Sequence, residues 1–166
     1  MTAATETGVT TQVYRIYIKA TPEAIWDAIT TPEWTQKYGY RGIAEYDLRP
    51  GGKYQARARE DMQAMGMPEV LVEGEVLEAE PPRKLVHTWR ALWDEDIASE
   101  STRVTFDIEE DDFGYTRLTV THDLENAPVT AEQIAGVARL QEGGGGWSWI
   151  LSDLKTLLET GQPDES

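Results

Sequence analysis

Cysteine is absent from the 166 residues, which excludes disulfides, thiolate metal sites and thiol nucleophiles and leaves the redox compartment open. Histidine occurs only twice, at His87 and His122, with no His-Glu-x-x-His spacing. Two imidazoles do not complete a zinc site without further ligands, so neither a metal nor a cofactor is expected. Basic residues are scarce: 15 Lys and Arg stand against 30 Asp and Glu, a formal net charge of −15. Nucleic-acid affinity comes largely from cations displacing counterions, so nucleic acid is excluded as a partner, and an anionic membrane surface with it. No apolar run approaches the ~20 residues of a membrane span. Met1 to Gly8 has neither a basic nor an apolar segment, so no signal peptide is expected and the chain reads as cytoplasmic. The four glycines Gly143–Gly146 lack the following Lys of a phosphate loop, and no dinucleotide fingerprint or Ser-His-Asp order is present.

Hydrophobic residues make up 40% and charged residues 27%, a globular balance, and the length suits one domain with a sizeable core. The longest-range organiser is C-terminal. Trp147, Ile150, Leu151, Leu154, Leu157 and Leu158 follow i, i+3, i+4, i+7 spacing, which predicts one apolar stripe on a helix ending at Gly161. Upstream, residues 1–11 read as a frayed terminus, residues 12–161 as the single domain and residues 162–166 as a tail. Val13–Ala20 alternates Tyr14, Ile16 and Ile18 against Arg15, Tyr17 and Lys19, a half-buried strand. Thr21-Pro22-Glu23 starts a short helix, with Thr at the cap and Pro at the first turn, and Thr31-Pro32-Glu33 starts a second.

From Ile43 the period is two. Ile43–Leu48 and Lys53–Glu60 read as a hairpin across Arg49-Pro50-Gly51-Gly52, and Asp61–Pro68 as a Met-rich connector. Glu69–Glu80, Lys84–Arg90, Thr102–Glu109 and Tyr115–Asp123 read as further strands, with Ala91–Ser101 as a loop. Thr130 is expected to cap a helical piece running towards Leu140, with Gln133 at its third position. The fold class is therefore α+β. A curved antiparallel sheet of about seven strands carries two short helices after its first strand, and a long C-terminal helix packs across its concave face.

A sheet gripping one helix leaves a space between them where ligands sit. The candidates to line it are Trp34, Tyr38, Tyr46, Tyr54, Met62, Met65, Met67, His87, Trp89, Phe106, His122, Trp147 and Leu151. Aromatic rings and adaptable Met side chains suit apolar ligands as well as filled cores. The histidines read either as hydrogen-bonded core groups or as proton donors to a ligand carbonyl. Gly143–Gly146 reads as a hinge that lets the last helix approach the sheet. Trp149 lies about 200° round the helix from the stripe. It is expected either to anchor a homodimer or to pack under Ala131–Leu140. Glu73 and Glu75 flank Gly74 on one strand face, which reads as a solvated face with cross-strand Arg partners.

Ala20-Thr21-Pro22-Glu23-Ala24-Ile25-Trp26-Asp27-Ala28, Thr31–Trp34, Asp47–Tyr54, Glu73–Glu78 with Pro81-Pro82, Leu85–Trp89, Leu118–His122 and Gly146-Trp147 with the leucine stripe form an ordered set from about Tyr14 to Gly161. The set resembles the SRPBCC superfamily (START-like, Bet v 1-like helix-grip proteins), in the branch named after the C-terminal domain of the activator of Hsp90 ATPase. The resemblance implies a helix-grip fold with a small-ligand cavity. It leaves three expectations open: a binder of a small apolar molecule without catalysis, a cyclase or dehydratase using a cavity His, and an accessory protein of an Hsp90-type chaperone.

Overall fold

The computed structural model describes residues 11–93, 95–134 and 146–161. Its strands are β1 (Thr11–Ile18), β2 (Ile43–Tyr46), β3 (Lys53–Arg57), β4 (Val70–Glu80), β5 (Lys84–Ala91), β6 (Thr102–Glu110) and β7 (Thr116–Asp123). They form one seven-stranded sheet in the order β1-β7-β6-β5-β4-β3-β2. Every neighbouring pair is antiparallel, as short connections require. The sheet is curved and open. Register shifts at Ala56/Arg57 in β3 and at Val76/Glu78 in β4 add local bend, because a bulge leaves one residue unpaired and increases twist.

Two helices follow β1, α1 (Pro22–Thr30) and α2 (Pro32–Thr35). Thr21 caps α1 as its sequence predicts: its hydroxyl accepts the Ala24 N–H at 3.1 Å, and Pro22 occupies the first turn. The second Thr-Pro-Glu works differently. Thr31 makes no side-chain cap for α2; its hydroxyl donates back to the Asp27 carbonyl at 2.7 Å and so closes α1.

Three segments depart from the sequence expectation. The Met-rich connector contains a helix, α3 (Glu60–Ala64), and the expected loop after β5 contains another, α4 (Glu95–Ala98). Both are too short to show a helical period in sequence. The third is α5 (Pro128–Ile134), which starts two residues before Thr130. Thr130 is therefore inside the helix, and the cap comes from elsewhere. Glu100 accepts the N–H groups of Val129 and Thr130 and the Thr130 hydroxyl, the last at 2.8 Å. Burial raises the Glu100 pKa, but these hydrogen bonds outweigh it and hold the carboxyl below its usual value. The continuation towards Leu140 and the glycines Gly143–Gly145 lie outside the described residues.

The last helix, α6 (Gly146–Thr160), buries Leu151, Leu154 and Leu157 in the same core as Val104, Phe106, Ile108, Leu118 and Val120 of the sheet. Cross-strand pairs such as Phe106↔Val120 and Leu85↔Phe106 put the alternating apolar residues of neighbouring strands on one face. Tyr14, Ile16 and Ile18 join them from β1, while Val13 and Tyr17 point outward and are exposed.

Candidate functional site

Sheet and helix do not close completely on each other. Between them lies a space of about 440 Å³, within the range of small-molecule sites. Its floor is strand-borne: Tyr46 of β2, Tyr54 and Ala56 of β3, Val72 of β4, His87 and Trp89 of β5, and Phe106 of β6. Its roof is α6, through Trp147, Ile150, Leu151 and Leu154. Met62 and Met67 bound it on one side, and the loop Tyr38–Gly42 on another.

The floor is a run of rings. Tyr46 and Tyr54 stack with centroids 4.5 Å apart, Tyr54 meets His87 at 4.2 Å, and His87 meets Phe106 at 5.9 Å. Phe106 in turn meets the Trp147 ring edge-on at 5.9 Å, so sheet and helix touch through aromatic contacts. Antiparallel register explains this clustering. Tyr46 pairs with Tyr54, and Val76 pairs with His87, so residues of one pleat phase on adjacent strands converge.

Both histidines are buried, and their partners fix their tautomers. The His87 Nδ1 lies 2.7 Å from the Thr88 carbonyl, which can only accept, so Nδ1 carries the proton. Its Nε2 then accepts from the Tyr46 hydroxyl at 3.2 Å. At His122 the order is reversed. Trp147 Nε1 can only donate and does so to Nδ1 at 3.1 Å; Nε2–H donates to the Thr102 hydroxyl at 2.6 Å, and that hydroxyl donates to the Trp89 carbonyl at 2.9 Å. Burial lowers the pKa of His87 to about 4. Burial, and secondarily the proximity of His87, lowers that of His122 to about 3. Both imidazoles are thus neutral near pH 7 with every ring nitrogen engaged, which suits positioning and not acid catalysis. Burial likewise holds the hydroxyls of Tyr38, Tyr46 and Tyr54 in their neutral forms, with pKa values raised above the usual phenol value.

Most of the residues proposed from sequence face this space: Tyr38, Tyr46, Tyr54, Met62, Met67, His87, Trp89, Phe106, Trp147 and Leu151. Three do not. Trp34 is partly buried against the core without lining the space, with the Lys37 ammonium 4.5 Å from its ring centroid. Met65, the residue that ends α3, is 79% exposed, whereas Met62 within the helix is partly buried against the core. His122 lies behind the Trp89 and Trp147 rings, at 4.9 and 6.1 Å, and holds them in place without lining the space. Trp149 is half-buried and is not among the residues packed on the core.

Of the loop Tyr38–Gly42, sequence reasoning picked out the tyrosines but overlooked Gly39, Arg41 and Gly42, although two glycines among aromatics were a visible signal. Gly39 adopts φ 61°, and a Cβ there would lie 3.3 Å from the Ile150 side chain. Its N–H donates to the buried Asp153 carboxylate at 2.8 Å, and the Tyr40 hydroxyl accepts the Gly146 N–H at 2.9 Å. The loop is thereby tied to α6. Nothing in the sequence distinguished Asp153 from a surface acid, or Thr102 from any other strand threonine.

A model of the family described as "Activator of Hsp90 ATPase homolog 1-like protein" matches residues 19–159. No curated protein matches the chain. Among solved structures, CalU16 from Micromonospora echinospora aligns with a TM-score of 0.58 at 22% identity, over 91% of this chain and 77% of its own. The Aha1 dimer from Colwellia psychrerythraea aligns at 0.58 and 19% identity, over 91% of this chain and 97% of its own. An HSP90 activator from Plasmodium falciparum aligns at 0.54 and 22% identity, over 89% and 86%. At these identities the likeness establishes the shared helix-grip fold.

Proposed function

The chain belongs to the family of Activator of Hsp90 ATPase homolog 1-like proteins within the SRPBCC superfamily, and on that premise we propose that it binds one small, largely apolar molecule between the sheet and α6. The observation that carries the proposal is the space of about 440 Å³ beside a continuous aromatic floor. Closing that space would gain dispersion and apolar burial, so leaving it open has a cost that a ligand offsets. The histidines favour binding over the cyclase or dehydratase alternative. His122 is screened from the space, and His87 is neutral with both nitrogens engaged.

The test is native mass spectrometry of the protein as purified, together with titration by the neutral fluorescent dye N-phenylnaphthylamine. A co-purified small mass, or saturable dye enhancement with one site per chain, is expected. Neither signal from folded protein would reject the reading. A second reading, stimulation of an Hsp90-type ATPase, is favoured by the family's description and by the Plasmodium neighbour. It predicts faster ATP turnover by such a chaperone when this protein is added; an unchanged rate at saturating protein would dismiss it. Dimerisation through Trp149 is a further proposal that the Colwellia neighbour makes reasonable, since that protein is described as a dimer.

A further inference from the structure

On the premise that the space between sheet and α6 takes an apolar molecule, we infer that this molecule carries a carboxylate or equivalent anionic head, which Arg41 meets at the mouth. Among the described residues Arg41 is the one charged residue lining a space otherwise bounded by apolar, aromatic and neutral polar groups. Its guanidinium has no hydrogen-bond or ion-pair partner among the described residues. That is unusual within this chain. Acids outnumber bases 30 to 15, and Arg57, Arg90, Arg103 and Arg117 on the sheet all lie against carboxylates.

The backbone at Arg41 adds an independent observation. Its φ is 62°, in the left-handed region that disfavours a side chain, although glycine stands two residues before it and immediately after it. Strain retained at a ligand-facing position points to a role for the side chain. The surrounding loop is held to α6 by the Gly39–Asp153 and Tyr40–Gly146 hydrogen bonds, so the guanidinium is presented from a fixed base.

The half-buried Arg41 can lay its aliphatic stem along an apolar ligand while its head stays at the rim. An amphiphile with its tail on the aromatic floor and its acid at the mouth satisfies both ends. The guanidinium fork matches a carboxylate in two parallel hydrogen bonds, which a neutral alcohol cannot accept in the same way. The protein's net charge of −15 works against anions in general. A preference for an acid over its matched alcohol must therefore arise locally, and at physiological salt the distant charges are screened beyond ~8 Å.

The experiment displaces bound N-phenylnaphthylamine with decanoate and, separately, with decanol. In the natural protein decanoate is expected to be the stronger competitor. Arg41→Gln should weaken decanoate by about ten- to a hundred-fold, the effect of losing one charge-assisted contact, and decanol and dye by far less, since they lose only part of the side-chain stem. Arg41→Lys should restore part of the loss. If Arg41→Gln folds poorly, Arg41→Gly replaces it, since glycine suits the left-handed backbone. Dye binding with no advantage of decanoate over decanol, or an equal loss of both in the variant, overturns the anionic head and leaves the apolar site standing. Absence of dye binding to the natural protein brings down both proposals together.

Discussion

Lowering the pH from about 7 to about 5 should remove roughly 4 kcal/mol of folding stability, and the cause is the two buried histidines. In the unfolded chain each imidazole titrates at 6.5, whereas in the folded protein burial lowers His87 to about 4 and His122 to about 3. Between those values the unfolded state holds protons that the native state refuses, so stability falls as the pH falls. The contribution is fully present above 6.5 and is lost progressively towards the folded values. At about pH 5 each histidine accounts for ~2 kcal/mol, a large share of the ~5–15 kcal/mol typical of a domain. Carboxylates of ordinary pKa, near ~4, titrate mostly below this window, so the histidine effect stands apart. Urea unfolding followed by tryptophan fluorescence at several pH values reads it directly. His87→Gln and His122→Gln keep one donor and one acceptor but cannot take the proton, so each should halve the dependence and the pair should abolish it. A natural protein equally stable across the window, or a double variant with the full slope, refutes the reasoning.

Other perturbations test the fold and the site separately. Gly74→Ala places a Cβ 1.9 Å from the Thr88 carbonyl oxygen, backbone that cannot yield, so a loss of about 3 kcal/mol or more is expected. A melting temperature within a few degrees of the natural protein would contradict that close approach. Ala56→Phe, on the floor of the space, should weaken N-phenylnaphthylamine by at least about ten-fold with unchanged far-ultraviolet dichroism; undiminished dye binding would put the dye elsewhere. Trp149→Ala should leave folding intact and lower the association state, and an unchanged mass in solution would reject the dimer contact.

How far the chain could be read in advance depended on the range of the interaction. The Thr21-Pro22-Glu23 start, the alternation of Val104, Phe106 and Ile108, and the leucine stripe of α6 are local patterns, and each appears in the fold as its period requires. The Thr31 and Thr130 caps failed for a different reason. Which carbonyl or carboxylate lies beside a hydroxyl depends on what packs there, and the partners were Asp27 and a glutamate from another segment, Glu100. The short helices α3 and α4 span about one turn each, too little for a period to register.

The candidate site divides along the same line. Alternation put Tyr54, His87 and Phe106 on the buried face, because a strand's pleat is a property of consecutive residues. Alternation could not tell that His87 faces the space while His122 is shut behind two tryptophans. Strand register, sheet curvature and the seating of α6 decided that. The same holds for Asp153 and Arg41, one an acid buried against a glycine N–H and the other a cation without a partner among the described residues. By itself the sequence determined which apolar residues of the strands and of α6 leave water, since that follows from hydrophobicity and backbone period. Only the tertiary structure decided which polar groups of the site meet, because pairs such as Gly39–Asp153, Tyr46–His87 and Thr102–His122 bring together residues far apart in the chain.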